Sequence, residues 1–273
     1  MIAQFALRLI CGMSLMWALM PRRQVTSGFF RIQMLVVMGL GILVALAAKM
    51  ARFDGPVFSE VSDTMLLADR ATAVIGGTIG VAGFVGSALW TLERRAGGER
   101  VGFAVLAASI CALTLSNLSQ QSWTQWPAWL APMSQLAGSA VLGATTVGML
   151  LGHWYLTTPT MSIDPLKRVN LLLCLAACMR LTMSALMLAV FWFASWWEDG
   201  SSASKFSSSV LIFLSVRWLA GVIGPFVVSW MVWRILKYRN TQAATGVLFV
   251  GVILAFMGDM MAALLLQETK LPL

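Results

Sequence analysis

Trp17-Ala18-Leu19 is followed, after eleven residues, by Arg31-Ile32-Gln33-Met34-Leu35; Trp154-Tyr155-Leu156 is followed, again after eleven, by Arg168-Val169-Asn170-Leu171-Leu172. The two passages stand 137 residues apart in a chain of 273. A second echo lies further on, where Gly80-Val81-Ala82-Gly83 returns as Gly221-Val222-Ile223-Gly224, each leading into a tryptophan-bearing segment with a basic end. Self-similarity at half the chain length is the mark of a duplicated architecture: two similar bundles with a possible ligand site at their interface.

Working outward, composition identifies the solvent. The chain is 59% hydrophobic and 11% charged, with mean hydropathy +0.82. A soluble domain is about a quarter charged. Apolar runs of about twenty residues, without period-two alternation, read as membrane-spanning helices, because a helix satisfies its own backbone in hydrocarbon. The expected fold class is therefore an all-α integral membrane protein. Eight crossings are expected, at 2–20, 29–50, 71–92, 101–118, 128–155, 168–196, 209–236 and 243–267. The first is read as a retained crossing rather than a cleaved signal, since Arg8 interrupts it, no small-residue cleavage site follows and the repeat requires it. Residues 1–120 and 128–273 form two four-helix units joined by an outer loop at 121–127. Four crossings per unit is an even number, so the copies are parallel.

Eleven of the nineteen basic residues fall in the odd-numbered loops, among them Arg22, Arg23, Arg94, Lys167, Lys237 and Arg239. Five fall on the other side, with seven of the acids. The positive-inside rule then puts the odd loops in the cytoplasm and both termini outside, in the cell membrane. Trp17, Trp90, Trp154, Trp230 and Trp233 are expected in an inner interfacial belt, and Trp123, Trp126, Trp129, Trp192, Trp196 and Trp197 in an outer one. The net charge of +8 is topogenic and meets lipid headgroups; nothing in it suggests nucleic acid. The loop 51–70, with four acids and a short apolar patch, is expected to form an interfacial helix and to dock any external partner. The four cysteines lie in predicted crossings, away from any disulfide framework.

Ionisable residues within hydrocarbon are costly and draw attention by that alone. Arg8, Arg217 and Asp259 are expected at a common depth near the outer surface, with Arg217 and Asp259 paired. Arg180 is expected near mid-depth, facing an internal polar cavity, helix carbonyls or a ligand. These four are the candidate ligand-binding or proton-linked residues, and charge pairs that merely lock helices are the competing reading. His153, the single histidine, is expected as an interfacial anchor beside Trp154 and Tyr155, or as a contact for a quinone headgroup. One histidine rules out bis-histidine haem or a multi-histidine metal site within this chain. Cys174, Cys178 and Met187, on one expected helical face, raise a weaker copper reading. Thr241 is the expected N-cap of the eighth crossing. The sequence contains no P-loop, G-x-S-x-G or H-E-x-x-H motif, so no catalytic residues are nominated.

Ala137-Gly138-Ser139-Ala140-Val141-Leu142-Gly143 and Gly148-Met149-Leu150-Leu151-Gly152-His153 resemble the fifth helix of the NrfD-like membrane anchors, the group of polysulfide and dimethyl sulfoxide reductase anchor subunits. Gly258-Asp259 is similar to a Gly-Glu pair in some of them, with Asp replacing Glu. The resemblance spans about thirty residues and leaves the family's quinol-site residues in the first four helices without counterparts. It implies a haem-free, quinone-interacting anchor that docks iron–sulfur or other redox subunits. That is the leading expectation. A small secondary transporter, anion- or proton-coupled with its site at the repeat interface, is the alternative, and a membrane assembly or structural protein, or a homo-oligomer, the third.

Overall fold

The computed structural model describes residues 1–50, 63–118, 130–158, 160–199 and 208–269. The described residues are helical, with no strand among them, and contain eight spans long and apolar enough to cross a membrane. The interfacial helix expected within 51–70 lies partly outside them, as do the joint at 121–127 and the side chains of the outer tryptophan belt.

The chain divides into two compact units, Met1–Thr124 with Thr160–Pro165, and Gln125–Pro159 with Leu166–Leu273. The first unit contains α1 (Ile2–Leu19), α2 (Ser27–Met50), α3 (Asp63–Thr91) and α4 (Arg95–Leu118). Its helices close a ring, with α1 against α2 and α4, and α3 against α2 and α4. Pro21 ends α1: the residue before a proline is pushed to extended backbone, and Met20 sits at φ −85, ψ 158. Glycines bring α2 and α3 into main-chain contact. A Cβ on Gly41 would stand 2.6 Å from the Gly80 nitrogen, and one on Gly83 2.7 Å from that of Met38. Without a hydrophobic driving force in lipid, such close approach is what holds helices together.

The second unit contains α5 (Leu130–Thr157), α6 (Asp164–Asp199), α7 (Ser208–Trp218), a π turn (Leu219–Ile223), α8 (Gly224–Leu236) and α9 (Thr241–Thr269). α7, the π turn and α8 make one span. α9 packs against all three and against α5. α6 is fastened at two points: Asn170 Nδ2 donates to the Ser229 carbonyl at 3.1 Å on α8, and Arg180 reaches Ser134 on α5. The π turn has a local cause. Pro225 lacks the N–H that would bond the Gly221 carbonyl, and its ring crowds that carbonyl. The chain widens instead, and Gly224 N–H bonds Leu219 O.

The connection between the third and fourth spans has the same form in both units. Glu93 and Arg239 both lie at φ 55, a left-handed setting uncommon for residues with a Cβ. Each stands two residues before the next helix. Glu93 N–H bonds Trp90 O at 3.3 Å and Arg95 N–H bonds Glu93 O at 2.9 Å; Arg239 N–H bonds Leu236 O at 3.2 Å and Thr241 N–H bonds Arg239 O at 3.1 Å.

The first helix of each unit is the most buried of its four: 61% of the span window in α1 and 78% in α5. α5 is also the least hydropathic span, at 1.3, and hides Ser134, Gln135, Ser139, Thr145 and Thr146. Three expectations are corrected. Trp17 and Trp90 are core residues of the first unit, each 3% exposed, and Trp90 stacks on Phe30 with centroids 4.6 Å apart. Trp230 and Trp233, by contrast, are about half exposed, as belt residues should be. Met187 is buried while Cys178 is exposed, so the expected thiol–thioether face does not form; nine residues at about 100° each put them on opposite sides of α6. Asn240, not Thr241, caps α9, accepting from Ala243 N–H through Oδ1 at 3.0 Å.

Candidate functional site

Among the described residues, the second unit carries three buried charged side chains within its spans: Arg180 on α6, Arg217 on α7 and Asp259 on α9, with exposures of 3%, 2% and 5%. Insertion scales put each at roughly 2.5–3.5 kcal/mol at a helix centre, so they persist only where the fold receives them.

Arg180 is received by α5. Its Nη1 donates to the Ser134 carbonyl at 2.6 Å and to Ser134 Oγ at 3.0 Å. The guanidinium lies over Gly138, where a Cβ would stand 3.3 Å from Nη1. Of the expected surroundings, helix carbonyl is the one found. Ser134 lies in the first two turns of α5, so the guanidinium reaches towards the end opposite the α8–α9 turn.

Arg217 lies at the crossing of α7 and α9. Its Nη1 occupies the place where a Cβ on Gly221 would go. That same Cβ would come 2.9 Å from the Gly258 Cα, and a Cβ on Gly258 would fall within the main chain of Gly221. The crossing therefore requires glycine on both helices, and the guanidinium rests beside it. Asp259 follows Gly258 directly. Counted by helical rise, Arg217 and Asp259 stand at one level, both about 27–28 Å from the α8–α9 turn. The π turn separates Arg217 from the rest of its span, and single π turns recur at functional sites.

Arg8 lies on α1 of the first unit and is half-buried. His153 is exposed on α5, with Trp154 half-buried and Tyr155 buried beside it.

Sequence reasoning missed a pocket in the first unit. Trp17, Phe30, Met34, Trp90 and Phe103 wall a cavity of about 10 Å³. The indole N–H groups of Trp17 and Trp90 are buried there without hydrogen-bond partners. Arg22 stands at this pocket, 3.5 Å from Glu99 and 4.7 Å from the Phe103 ring centroid. The only sequence trace was the pair of tryptophans, which an interfacial reading absorbed. Among the described residues, no group of three His, Cys, Asp or Glu side chains is gathered as a metal site.

Arg217, a cation that never deprotonates, and the Asp259 carboxyl group are thus both buried on helices that cross at Gly221 and Gly258. No protein-family model matches the chain, and no match was found among curated proteins or solved structures.

Proposed function

We propose that the chain is a small secondary transporter of the cell membrane whose second unit binds an anion and couples it to a proton. The observation that carries this reading is the burial of Arg180, Arg217 and Asp259 on three helices of one unit, two of them in clearings made by glycine. Apolar side chains would fill those positions at no desolvation cost, and replacing a buried ion pair with them is often neutral or stabilising. Charges retained at this depth are by default pathway residues. In this reading Arg217 and Arg180 attract the anion, and protonation of Asp259 releases Arg217 for it.

The architecture proposed with it is a parallel 4+4 repeat with odd loops cytoplasmic and both termini outside. Its support is the matching left-handed turn at Glu93 and Arg239, and the equal spacing of 137 residues between the starts of α2 and α6.

The test is proteoliposome flux with the purified chain, a pH dye inside and a panel of carboxylates, sulfate and phosphate outside. Proton uptake that depends on one of these anions, and falls at least about tenfold in Asp259→Asn and Arg217→Gln, is expected. Absence of anion-dependent proton movement in verified, folded proteoliposomes sinks the reading.

The quinone-interacting anchor is the second reading, favoured by the two unpartnered indole donors in the aromatic pocket of the first unit. A cavity of about 10 Å³ has room for one water at most. A quinone headgroup would enter only after Arg22 and Glu99 part. Quinone extracted in stoichiometric amount, with redox subunits copurifying, would favour this reading over transport.

A further inference from the structure

A cleft of about 380 Å³ opens between the start of α6 and the end of α8 in the second unit. Its size lies within the range of small-ligand sites, about 300–1,000 Å³. Its charged lining is Lys167, Lys237 and Arg239, with no acid among the lining residues. Its apolar lining is Leu171, Trp233 and Leu236. Leu171 and Trp233 are about half exposed, on the outer surface of a span. The cleft is thus basic at one side and lipid-compatible at the other.

Two features show that the cleft is more than a basic interface. Lys237 Nζ is held 3.7 Å from the centroid of the Trp233 ring, which fixes the ammonium against the cleft wall. Asn170, only 6% exposed, also lines the cleft. Its Nδ2 is committed to Ser229 O, while its Oδ1 is buried with no hydrogen-bond partner. A buried acceptor left unsatisfied costs about 1–3 kcal/mol, which a donor reaching it would offset. The turn itself does not require the cation at position 239. The same turn in the first unit, with the same φ, has Glu93 where the second has Arg239.

We infer that this cleft binds a phosphoglycerol group: a phosphate diester for Lys167, Lys237 and Arg239, and a hydroxyl that donates to Asn170 Oδ1. The headgroup of an anionic phospholipid of the phosphatidylglycerol type supplies both, with its acyl chains lying along Leu171 and Trp233. A soluble glycerol phosphate supplies the same polar chemistry without the chains. The inference is independent of the transport reading and of the buried charges on α6, α7 and α9.

Native mass spectrometry of the full chain, delipidated in detergent, separates the possibilities. The probes are phosphatidylglycerol, phosphatidylmethanol (the same charge without the hydroxyl), phosphatidylcholine and free glycerol 3-phosphate. Phosphatidylglycerol should bind tightest, and a Lys237→Ala, Arg239→Ala double variant should weaken it roughly ten- to thirtyfold. Both residues are exposed, so the unliganded double variant should melt as the wild type does. Asn170→Leu should abolish the preference for phosphatidylglycerol over phosphatidylmethanol while retaining that for phosphatidylmethanol over phosphatidylcholine. Glycerol 3-phosphate binding as tightly as the lipid supports the site and assigns it a soluble ligand. Equal binding of all the lipids, or phosphatidylglycerol binding unchanged in the double variant, overturns the inference.

Discussion

Arg180 illustrates what one residue can and cannot reveal in advance. Its cost in the membrane was legible from its place in an apolar run, but its partner was not. The Ser134 carbonyl that receives it belongs to the backbone, which every residue has. Arg217 and Asp259 were legible as buried charges because each stands alone in an apolar run, and both are buried on neighbouring spans. What spacing does not give is helix rotation, and with it the glycine contact that makes the clearing for Arg217. Two outcomes follow at this scale. Ser134→Ala leaves the carbonyl in place and removes one hydrogen bond to the guanidinium, so thermal unfolding in detergent should report a loss of about 1 kcal/mol. Arg180→Met should leave the melting temperature near or above wild type while abolishing anion-dependent flux. A merely structural arginine would leave flux intact.

At the scale of elements, the eight spans were legible because hydrocarbon admits little besides long apolar helices. Their ends were less so. α3 begins at Asp63 rather than near 71, and α6 runs from Asp164 to Asp199 rather than 168 to 196. Hydropathy marks the stretch that belongs in lipid, whereas the helix continues through polar residues beyond it. The π turn left a trace only in retrospect, as Gly221 four residues before Pro225. Gly258→Ala would drive a methyl into the Gly221 main chain, which cannot rotate aside, so a loss of about 1–3 kcal/mol is expected from overpacking. Gly246→Ala is the control, since a Cβ there meets nothing within 4 Å, and it should unfold as wild type does.

For the whole molecule, the duplicated passages around Trp17 and Trp154 led to two units, and their third-to-fourth turns share a left-handed residue and the two hydrogen bonds that flank it. What the repeat could not foretell is how far the units diverge. At the spacings of 137, 141 and 146 residues that relate successive parts, Arg180, Arg217 and Asp259 answer to Leu43, Gly76 and Leu113. Among the described residues, the fully buried charged side chains belong to the second unit. The proposed orientation predicts that epitope tags at both termini are reached by a membrane-impermeant label in intact cells, and that a tag in the Lys237–Asn240 turn is not. Labelling of the turn with protected termini would reverse the orientation.

The burial of α5 has a consequence for how the protein is made. Its span is the least apolar of the eight, at 1.3 against 2.3 for α9, yet α9 is the helix that packs beside it. During synthesis α5 leaves the ribosome well before α9 exists. Its serines and threonines then face either lipid or the insertion machinery, and neither replaces the neighbour still to come. Biogenesis of the second unit should therefore pause at α5, which waits beside the translocon until the last span arrives. A chain halted before residue 241 should leave α5 accessible to crosslinkers on the translocon, whereas α2, at 2.2, should already have passed into the bilayer.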